Sequence, residues 1–255
     1  MKAQFDATGD VVVITGGANG IGAALARACA QAGAQVVICD VDEDAARELV
    51  EQAPGIRYCP LDVSDQEAVL LTMQVIEAKF GRIDGLVCAA AVQPRVDVHR
   101  MEPRSWERTL DINLNGVVWC YQAVVRGMIR RRRGSVIAFS SGLAHSGWAQ
   151  SAAYASSKAA LGAFVRSAAK EVAQHRVRVN LVAPGVIDTP QYRSANAGSD
   201  NAHWAETLGV GTPDDVTGPL MFLLSDAATM TASLLSRDYA YPAQEAAHEA
   251  GAAAS

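Results

Sequence analysis

The sequence lacks the patterns that mark several classes of protein. None of its five cysteines forms a C-x-x-C pair, so we expect reduced thiols and neither a zinc site nor disulfides. No window approaches the roughly 18 apolar residues that span a bilayer, and the N-terminus has no apolar run of the signal-peptide type. The net charge of −5 lacks the basic surplus typical of nucleic-acid binders. We therefore expect a cytoplasmic protein with no membrane segment and no nucleic-acid partner.

Short apolar, β-rich runs alternate instead with longer helical patterns. The predicted strands cover residues 11–14, 35–39, 57–61, 86–89, 135–139 and 177–182, and helices are predicted over 21–32, 106–132 and 154–175. This alternation is typical of right-handed βαβ units and predicts an α/β, doubly wound, mostly parallel sheet. No Pro/Ser-rich linker divides the chain, so we expect one domain over residues 1–242, followed by an Ala-rich tail at 243–255.

A glycine-rich turn follows the first predicted strand directly. Gly16, Gly20 and Gly22 would let the backbone turn tightly and approach a pyrophosphate that faces the helix N-terminus. The spacing differs from G-x-G-x-x-G, so the turn alone is a weak indication of a nucleotide site. Asp40 ends the second strand, where a carboxylate can accept from ribose hydroxyls and repel a 2′-phosphate, and Val41 adds no positive charge. These residues favour NAD over NADP, although Asp40 could equally cap the following helix.

Tyr154 and Lys158 stand four residues apart in a predicted helix, so both side chains share one face. A phenol, with a pKa of about 10, is a poor base, but a nearby lysine cation favours the phenolate, which could exchange a proton with an alcohol. The same spacing is also common on solvated helix faces. Ser141 follows the fifth strand, and Asn113 interrupts an apolar helical pattern, where its amide either caps a break or is buried. Sites in such sheets lie beyond the strand ends, so these side chains should face one crevice.

Taken in order and register, these motifs resemble the short-form branch of the short-chain dehydrogenase/reductase family over about residues 10–230. The matching motifs are Thr15-Gly16-x3-Gly20-x-Gly22, Asp62-Val63, Asn113, Ser141, Tyr154-x3-Lys158 and Asn180-x3-Pro184-Gly185. The resemblance implies a single Rossmann domain and a homo-oligomer, either a tetramer or a dimer. It also implies an oxidoreductase that transfers a hydride between a secondary alcohol and a nicotinamide, with no metal.

The resemblance implies a role for each matching residue. Tyr154 would be the general acid/base, and Lys158 would lower its pKa and hold the nicotinamide ribose. Ser141 would bind the reacting oxygen, and Asn113 would fix a water that links Lys158 to solvent. The remaining residues implied in cofactor binding are Gly16, Asn19, Gly20, Ile21, Gly22, Asp40, Val41, Asp62, Val63, Ala89, Ala91, Pro184, Gly185, Ile187 and Thr189.

The chain departs from the family after the fourth strand, where Cys88-Ala89-Ala90-Ala91 replaces Asn-Asn-Ala-Gly. We expect backbone contacts to the cofactor to persist there, with some loss of stability. A second departure is a short, polar substrate segment at about 189–208.

The residues expected to contact substrate are mostly polar. They are Gln93, Ser141, His145, Gln150, Tyr154 and Arg193, with Trp148, Val186, Gln191, Tyr192, His203 and Trp204 as further pocket candidates. Arg193 could pair with a substrate carboxylate or phosphate, or be a solvated surface residue. This lining favours a small sugar, polyol, dihydrodiol or hydroxy acid over a steroid or acyl carrier. The alternatives are an NADPH-dependent carbonyl reductase and a non-catalytic dinucleotide-binding regulator.

Overall fold

The computed structural model describes residues 3–197 and 209–237. Residues 198–208 of the predicted substrate segment, which include His203 and Trp204, lie outside this part, as do the predicted domain end at 242 and the tail. Within the described part, no helix combines the length and the apolar character needed to cross a membrane.

Seven strands of the described chain form one sheet, and every pair in it is parallel. They are β1 (Val11–Thr15), β2 (Gln35–Asp40), β3 (Ile56–Pro60), β4 (Gly85–Cys88), β5 (Gly134–Phe139), β6 (Val177–Ala183) and β7 (Leu234–Ser236). The order is β3-β2-β1-β4-β5-β6-β7, so the direction of strand addition reverses between β1 and β4. The predicted doubly wound parallel sheet is confirmed, and β7 is an addition to the predicted strands.

Nine α-helices of the described chain flank this sheet. They are α1 (Gly20–Gln31), α2 (Glu43–Gln52), α3 (Gln66–Phe80), α4 (Pro103–Leu110), α5 (Gly116–Arg131), α6 (Leu143–Ser146), α7 (Ala152–Val172), α8 (Pro190–Ala195) and α9 (Thr217–Leu224). Alternate strand residues enter opposite cores, because successive side chains of a strand point to opposite faces. Val13 packs with α3, α5 and α7, whereas Val12 and Ile14 pack with α1, α2 and α9. Both faces of the sheet are therefore covered, as the apolar strands require.

The predicted helix over 106–132 is interrupted. Residues Asp111–Asn115 form a π-helix between α4 and α5. Such single wide turns occur mostly inside α-helices and often at functional sites. Asn113 lies in this turn and is completely buried. Of the two sequence-based interpretations of Asn113, the buried amide is therefore the one the structure shows, because its side chain caps neither the π-helix nor α5.

The five cysteines form no disulfide. Cys29, Cys39, Cys88 and Cys120 are buried, and Cys59 is partly buried. Burial raises the pKa of the Cys29 thiol to about 12, which keeps it protonated and unreactive at neutral pH. The cysteines thus pack as small core residues.

Candidate active site

A cavity of about 950 Å³ opens at the carboxyl ends of the strands, where the sheet reverses between β1 and β4. This is the position at which open α/β sheets bind ligands. Its wall is built from the turns that follow each of the strands β1 to β6, together with the first turns of α7 and α8. Its volume falls within the range of about 300–1,000 Å³ that is typical of small-molecule sites.

The glycine-rich turn after β1 is packed so closely that side chains are excluded. A Cβ atom on Gly16 would lie 2.4 Å from the Ala90 amide nitrogen, and one on Gly22 would lie 2.1 Å from the Gly16 carbonyl oxygen. Gly16 also has a positive φ of 66°, which disfavours other residues. Asn19, at the N-cap of α1, makes no side-chain cap. The first amides of α1 are therefore open to an anionic group, and the turn fits a pyrophosphate.

Asp40, at the end of β2, stabilises this turn through hydrogen bonds. Its carboxylate accepts hydrogen bonds from the backbone N–H groups of Ala18 (2.9 Å), Val41 (2.8 Å) and Asp42 (3.1 Å). Asp40 is not the cap of α2, because Asp42 occupies that position and accepts from Ala45 N at 3.2 Å. A carboxylate has about four lone-pair sites, so Asp40 keeps capacity for ribose hydroxyls in the cavity wall.

Asp62 and Val63 line the cavity beyond β3. Asp62 accepts from the Ser64 backbone N–H (3.0 Å) and hydroxyl (2.8 Å), and pairs with Arg108 at 2.7 Å. Burial raises the pKa of Asp62, but the hydrogen bonds from Arg108 and Ser64 outweigh it, so the net pKa is lowered. The carboxylate is ionised and held in place. Arg108 was not anticipated from the sequence, because its helical position gives no sign of this pairing.

Ser141, Tyr154 and Lys158 meet in the same cavity wall. Tyr154 and Lys158 lie one turn apart on α7, with the lysine Nζ 5.6 Å from the centroid of the tyrosine ring. Lys158 is only 3% exposed. The Ser141 oxygen accepts from Leu143 N at 3.2 Å, and its hydroxyl also hydrogen-bonds with Tyr154. This arrangement can hold a substrate oxygen between a hydroxyl and a phenol, as proton transfer to a carbonyl requires.

The pKa shifts in this group do not follow the sequence-based expectation. Burial raises the pKa of Tyr154, while hydrogen bonding with Ser141 and the charge of Arg95 lower it to a smaller extent. Burial also lowers the pKa of Lys158 to about 8, opposed weakly by Cys88. The net pKa change of Tyr154 is thus opposite to the expected lowering, and the cation that favours its phenolate is Arg95. Both changes arise because burial disfavours the charged form.

Asn113 does not line the cavity but positions residues that do. Its side-chain oxygen accepts from Val92 N at 2.8 Å, and its amide nitrogen donates to Val92 O (2.9 Å) and to the Ser157 hydroxyl (3.2 Å). Ser157 in turn donates to the backbone oxygen of Tyr154 at 2.7 Å. The amide therefore ties the π-helix to the segment after β4 and to the first turn of α7. The water relay implied by the family resemblance stays a prediction.

The structure divides the remaining substrate candidates. Gln93 lines the cavity, together with Trp148, Val186, Gln191 and Tyr192. His145 and Gln150 are exposed and lie outside the wall, because α6 and the following turn direct them to the surface. Arg193 is also outside it, since its exposed guanidinium makes two hydrogen bonds of 2.7 Å to Asp188. These three residues are not brought to the cavity.

Arg95 lines the cavity and was missed in the sequence. Its guanidinium donates to the Ser151 hydroxyl and, at 3.2 Å, to the side-chain oxygen of Asn196. The available signal was its position, as the only basic residue between Ile83 and His99 in the sequence, in the irregular segment that follows the fourth predicted strand. The segment has no periodicity, so nothing in the pattern indicates where its side chains point.

The other residues implied in cofactor binding are all found in this wall. They are Gly20, Ile21, Val41, Ala89, Ala91, Pro184, Gly185, Ile187 and Thr189. The turn Ala89–Ala91 keeps its backbone contact with β1, since Ala89 N donates to Thr15 O at 2.9 Å. The tight turn, the exposed helix amides and Asp40 together fit a dinucleotide. A nicotinamide dinucleotide would supply hydride transfer, which needs no metal.

Comparison with known proteins agrees with this geometry. A family model described as short chain dehydrogenase matches residues 10–200. The chain belongs to this family. It is 37% identical to the cis-4-hydroxycyclohexanecarboxylate dehydrogenase of Sinomonas cyclohexanicum, covering 91% of this chain and 96% of that protein. It is 35% identical to the 3-oxoacyl-(acyl-carrier-protein) reductase of Thermotoga maritima, covering 87% of this chain and 92% of that protein.

A solved structure shares the fold of this chain. The crystal structure of gox2181 superposes with a TM-score of 0.84 at 34% identity, over 91% of this chain and 95% of that one. The expected fold and family are thus confirmed. As a short-chain dehydrogenase the protein is an oxidoreductase that uses a nicotinamide dinucleotide.

Replacing Asn113 tests its positioning role. Asn113→Ala leaves the Val92 N–H and carbonyl without their partner, so we expect a loss of about 1–3 kcal/mol in the free energy of unfolding. The measurement is urea unfolding at a constant m-value. Asn115→Ala is the matched control, since Asn115 lies in the same π-helix and its side-chain amide donates to the side chain of Asp111, four residues earlier. An equal loss in the two variants would contradict the assignment.

Lys158→Met should stabilise the ligand-free protein while abolishing turnover. The Lys158 pKa is about 8 when folded against 10.5 as its ordinary value, so the unfolded chain binds more protons between these pH values. Wild-type stability therefore rises with pH over this window, and the full penalty of burying the cation is present below pH 8. Methionine removes that penalty.

The expected gain in unfolding free energy is up to about 3 kcal/mol at pH 7 and under about 1 kcal/mol at pH 10. Denaturant titrations at both pH values measure it. Lys170→Met, at an exposed position on the same helix, should show no such pH dependence. A gain that is the same at both pH values would overturn the argument.

Proposed function

We propose that this protein is an NAD-dependent dehydrogenase that interconverts a secondary alcohol and a ketone in a small polar molecule. The observation that carries this proposal is the placement of Ser141, Tyr154 and Lys158 in one cavity with the glycine-rich turn. The candidate substrates are sugars, polyols, dihydrodiols and hydroxy acids. The similarity to a hydroxycyclohexanecarboxylate dehydrogenase supports a hydroxyl on a small polar compound.

The chain's own residues account for the proton chemistry. During oxidation, the Tyr154 phenolate oxygen takes the proton of the substrate hydroxyl, and during reduction it returns one. The Ser141 hydroxyl donates to the substrate oxygen and fixes its position. The positive charge of Arg95 lowers the pKa of Tyr154 and so favours the phenolate, while the Lys158 Nζ lies 5.6 Å from the centroid of the same ring.

NAD is proposed rather than NADP because of the charges around β2. Asp40 carries a negative charge where the adenosine ribose would lie, and neither residues 16–22 nor residues 39–42 contain Lys or Arg. A 2′-phosphate would meet repulsion there without a paired cation. The second candidate function is an NADPH-dependent carbonyl reductase, which the similarity to an oxoacyl reductase favours. A cytoplasmic homo-oligomer, either a dimer or a tetramer, belongs to the proposal by family resemblance.

Tyr154→Phe removes the proton acceptor but keeps the ring beside Lys158. We expect kcat to fall about 10²- to 10⁴-fold, because general acid–base catalysis contributes on that scale. The assay follows nicotinamide absorbance with a panel of polar secondary alcohols that includes cis-4-hydroxycyclohexanecarboxylate. NAD binding, measured by tryptophan fluorescence, should persist. Tyr121→Phe is the control, since Tyr121 is buried against Phe164 in the core; turnover by Tyr154→Phe at the control's level would refute the mechanism.

The cofactor proposal has a separate test. Wild-type kcat/KM should be higher with NAD than with NADP. Asp40→Asn retains an acceptor oxygen for the glycine-rich turn but loses the charge, so kcat/KM with NADP should rise at least about tenfold. Asp44→Asn, an exposed change on α2, should leave the ratio as it is. A wild-type preference for NADP would show that the charge of Asp40 does not select against the 2′-phosphate.

A further inference from the structure

Four basic side chains line the described part of the cavity, namely Arg95, Arg108, Lys158 and Arg237. Arg108 pairs with Asp62 at 2.7 Å, and Arg237 lies 3.9 Å from Asp215. Lys158 belongs to the proton-transfer group. Arg95 is therefore the cavity cation whose presence the proposed mechanism leaves largely unexplained.

Arg95 is held by neutral partners. Its two Nη atoms donate to the Ser151 hydroxyl and the Asn196 side-chain oxygen, and no carboxylate of the described chain forms an ion pair with it. A guanidinium carries five N–H donors in a planar fork that matches a carboxylate, so donors remain for a ligand. Burial lowers the pKa of Arg95, which reflects the penalty of a partly buried cation without a counter-ion. A bound anion would offset this penalty.

Arg95 lies close to the reacting group. Its partner Ser151 is completely buried at the N-cap of α7, three residues before Tyr154 and hence on the same face of the helix. The charge of Arg95 also acts on Tyr154 directly. An anionic group held by Arg95 would thus lie a few carbon atoms from the oxygen that Tyr154 protonates.

A second polar group in the same wall is unsatisfied. The Tyr192 hydroxyl is buried and has no hydrogen-bond partner in the described part of the chain. Asn196 links the backbone of Tyr192 to Arg95, because its amide nitrogen donates to the backbone carbonyl oxygen of Tyr192 at 2.8 Å while its side-chain oxygen accepts from the guanidinium. Buried polar groups are almost always paired, so an unpaired phenol in a cavity wall indicates a ligand contact.

We propose that Arg95 binds a carboxylate of the substrate, and that the secondary alcohol is therefore a hydroxy acid. The inference rests on the proposed dehydrogenase function and selects one of its candidate classes. Neutral sugars, polyols and dihydrodiols have no group to pair with the guanidinium. Arg95 is in this role a specificity-determining residue, in addition to the effect of its charge on Tyr154.

The test compares cis-4-hydroxycyclohexanecarboxylate with its primary amide, which keeps the ring and the hydroxyl but lacks the charge. Wild-type kcat/KM should be higher for the acid. Arg95→Met should lower kcat/KM for the acid about 10- to 100-fold more than for the amide, the usual effect of losing a charged hydrogen bond, because the loss of the Arg95 charge beside Tyr154 affects both substrates alike. Arg95→Lys should restore part of the loss. Arg27→Met, at an exposed position on α1, is the charge-matched control.

A purely structural role for Arg95 gives a different pattern. Arg95 also ties Asn196 to Ser151, so Arg95→Met could loosen α8. In that case kcat/KM would fall equally for acid and amide, and Asn196→Ala, which removes one of these bonds without a charge change, would reproduce the loss. That outcome would overturn the inference.

A binding measurement separates this inference from the proposed function. Calorimetry with cyclohexanecarboxylate, which has no hydroxyl to oxidise, should show binding to the wild type that is 10- to 100-fold weaker in Arg95→Met. If no alcohol of the panel is oxidised with either cofactor, the dehydrogenase proposal fails, whatever the calorimetry shows. If acid and amide react equally well and Arg95→Met leaves their ratio unchanged, only the carboxylate assignment fails.

Discussion

The site depends on one direct backbone contact, between the turn after β1 and the turn after β4. Gly16 approaches Ala90 so closely that no side chain fits between them, and this is possible only where the sheet reverses and the two strands are neighbours. The contact fixes the glycine-rich turn on one side. On the other side, the chain continues from Ala90 to Val92, whose backbone N–H and carbonyl are hydrogen-bonded by the buried amide of Asn113. Because Asn113 also bonds Ser157, the glycine-rich turn and α7 are connected through this packing contact and these hydrogen bonds.

Electrostatics in the cavity follow from the same close packing. Burial disfavours both the Tyr154 phenolate and the Lys158 ammonium, so neither residue alone is well suited to hold charge. The nearby charge of Arg95 partly corrects this for Tyr154. An anion bound at Arg95 would weaken that correction, since it would neutralise the cation. Substrate recognition and proton transfer would then be coupled through one guanidinium, although their functional groups are distinct.

The sequence predicts those features of the molecule that leave a periodic apolar pattern or that follow directly from the end of a strand. The parallel sheet, the glycine-rich turn and the shared face of Tyr154 and Lys158 follow from such patterns, because apolar spacing reports which face is buried. The π-helix that buries Asn113 does not, since a wide turn of five residues barely changes the apolar pattern of a long helix. Arg95 was missed for a related reason, because an irregular segment gives no periodicity from which to infer direction. Likewise, Asp40 and Asp42 are both suited to cap α2, and only the backbone geometry separates them.

The turn Cys88-Ala89-Ala90-Ala91 shows why departures from a family motif need not remove a site. Its contacts with β1 are made by backbone atoms, which are the same in any sequence that can adopt the turn. Cys88 is buried against Cys120 and so occupies its position as a core residue. The segment that continues to Arg95 is therefore anchored at its start by backbone and free to vary in its side chains. Such a segment at the edge of a rigid sheet can acquire a new ligand contact without disturbing the glycine-rich turn or the positions of Tyr154 and Lys158, and Arg95 lies in this segment.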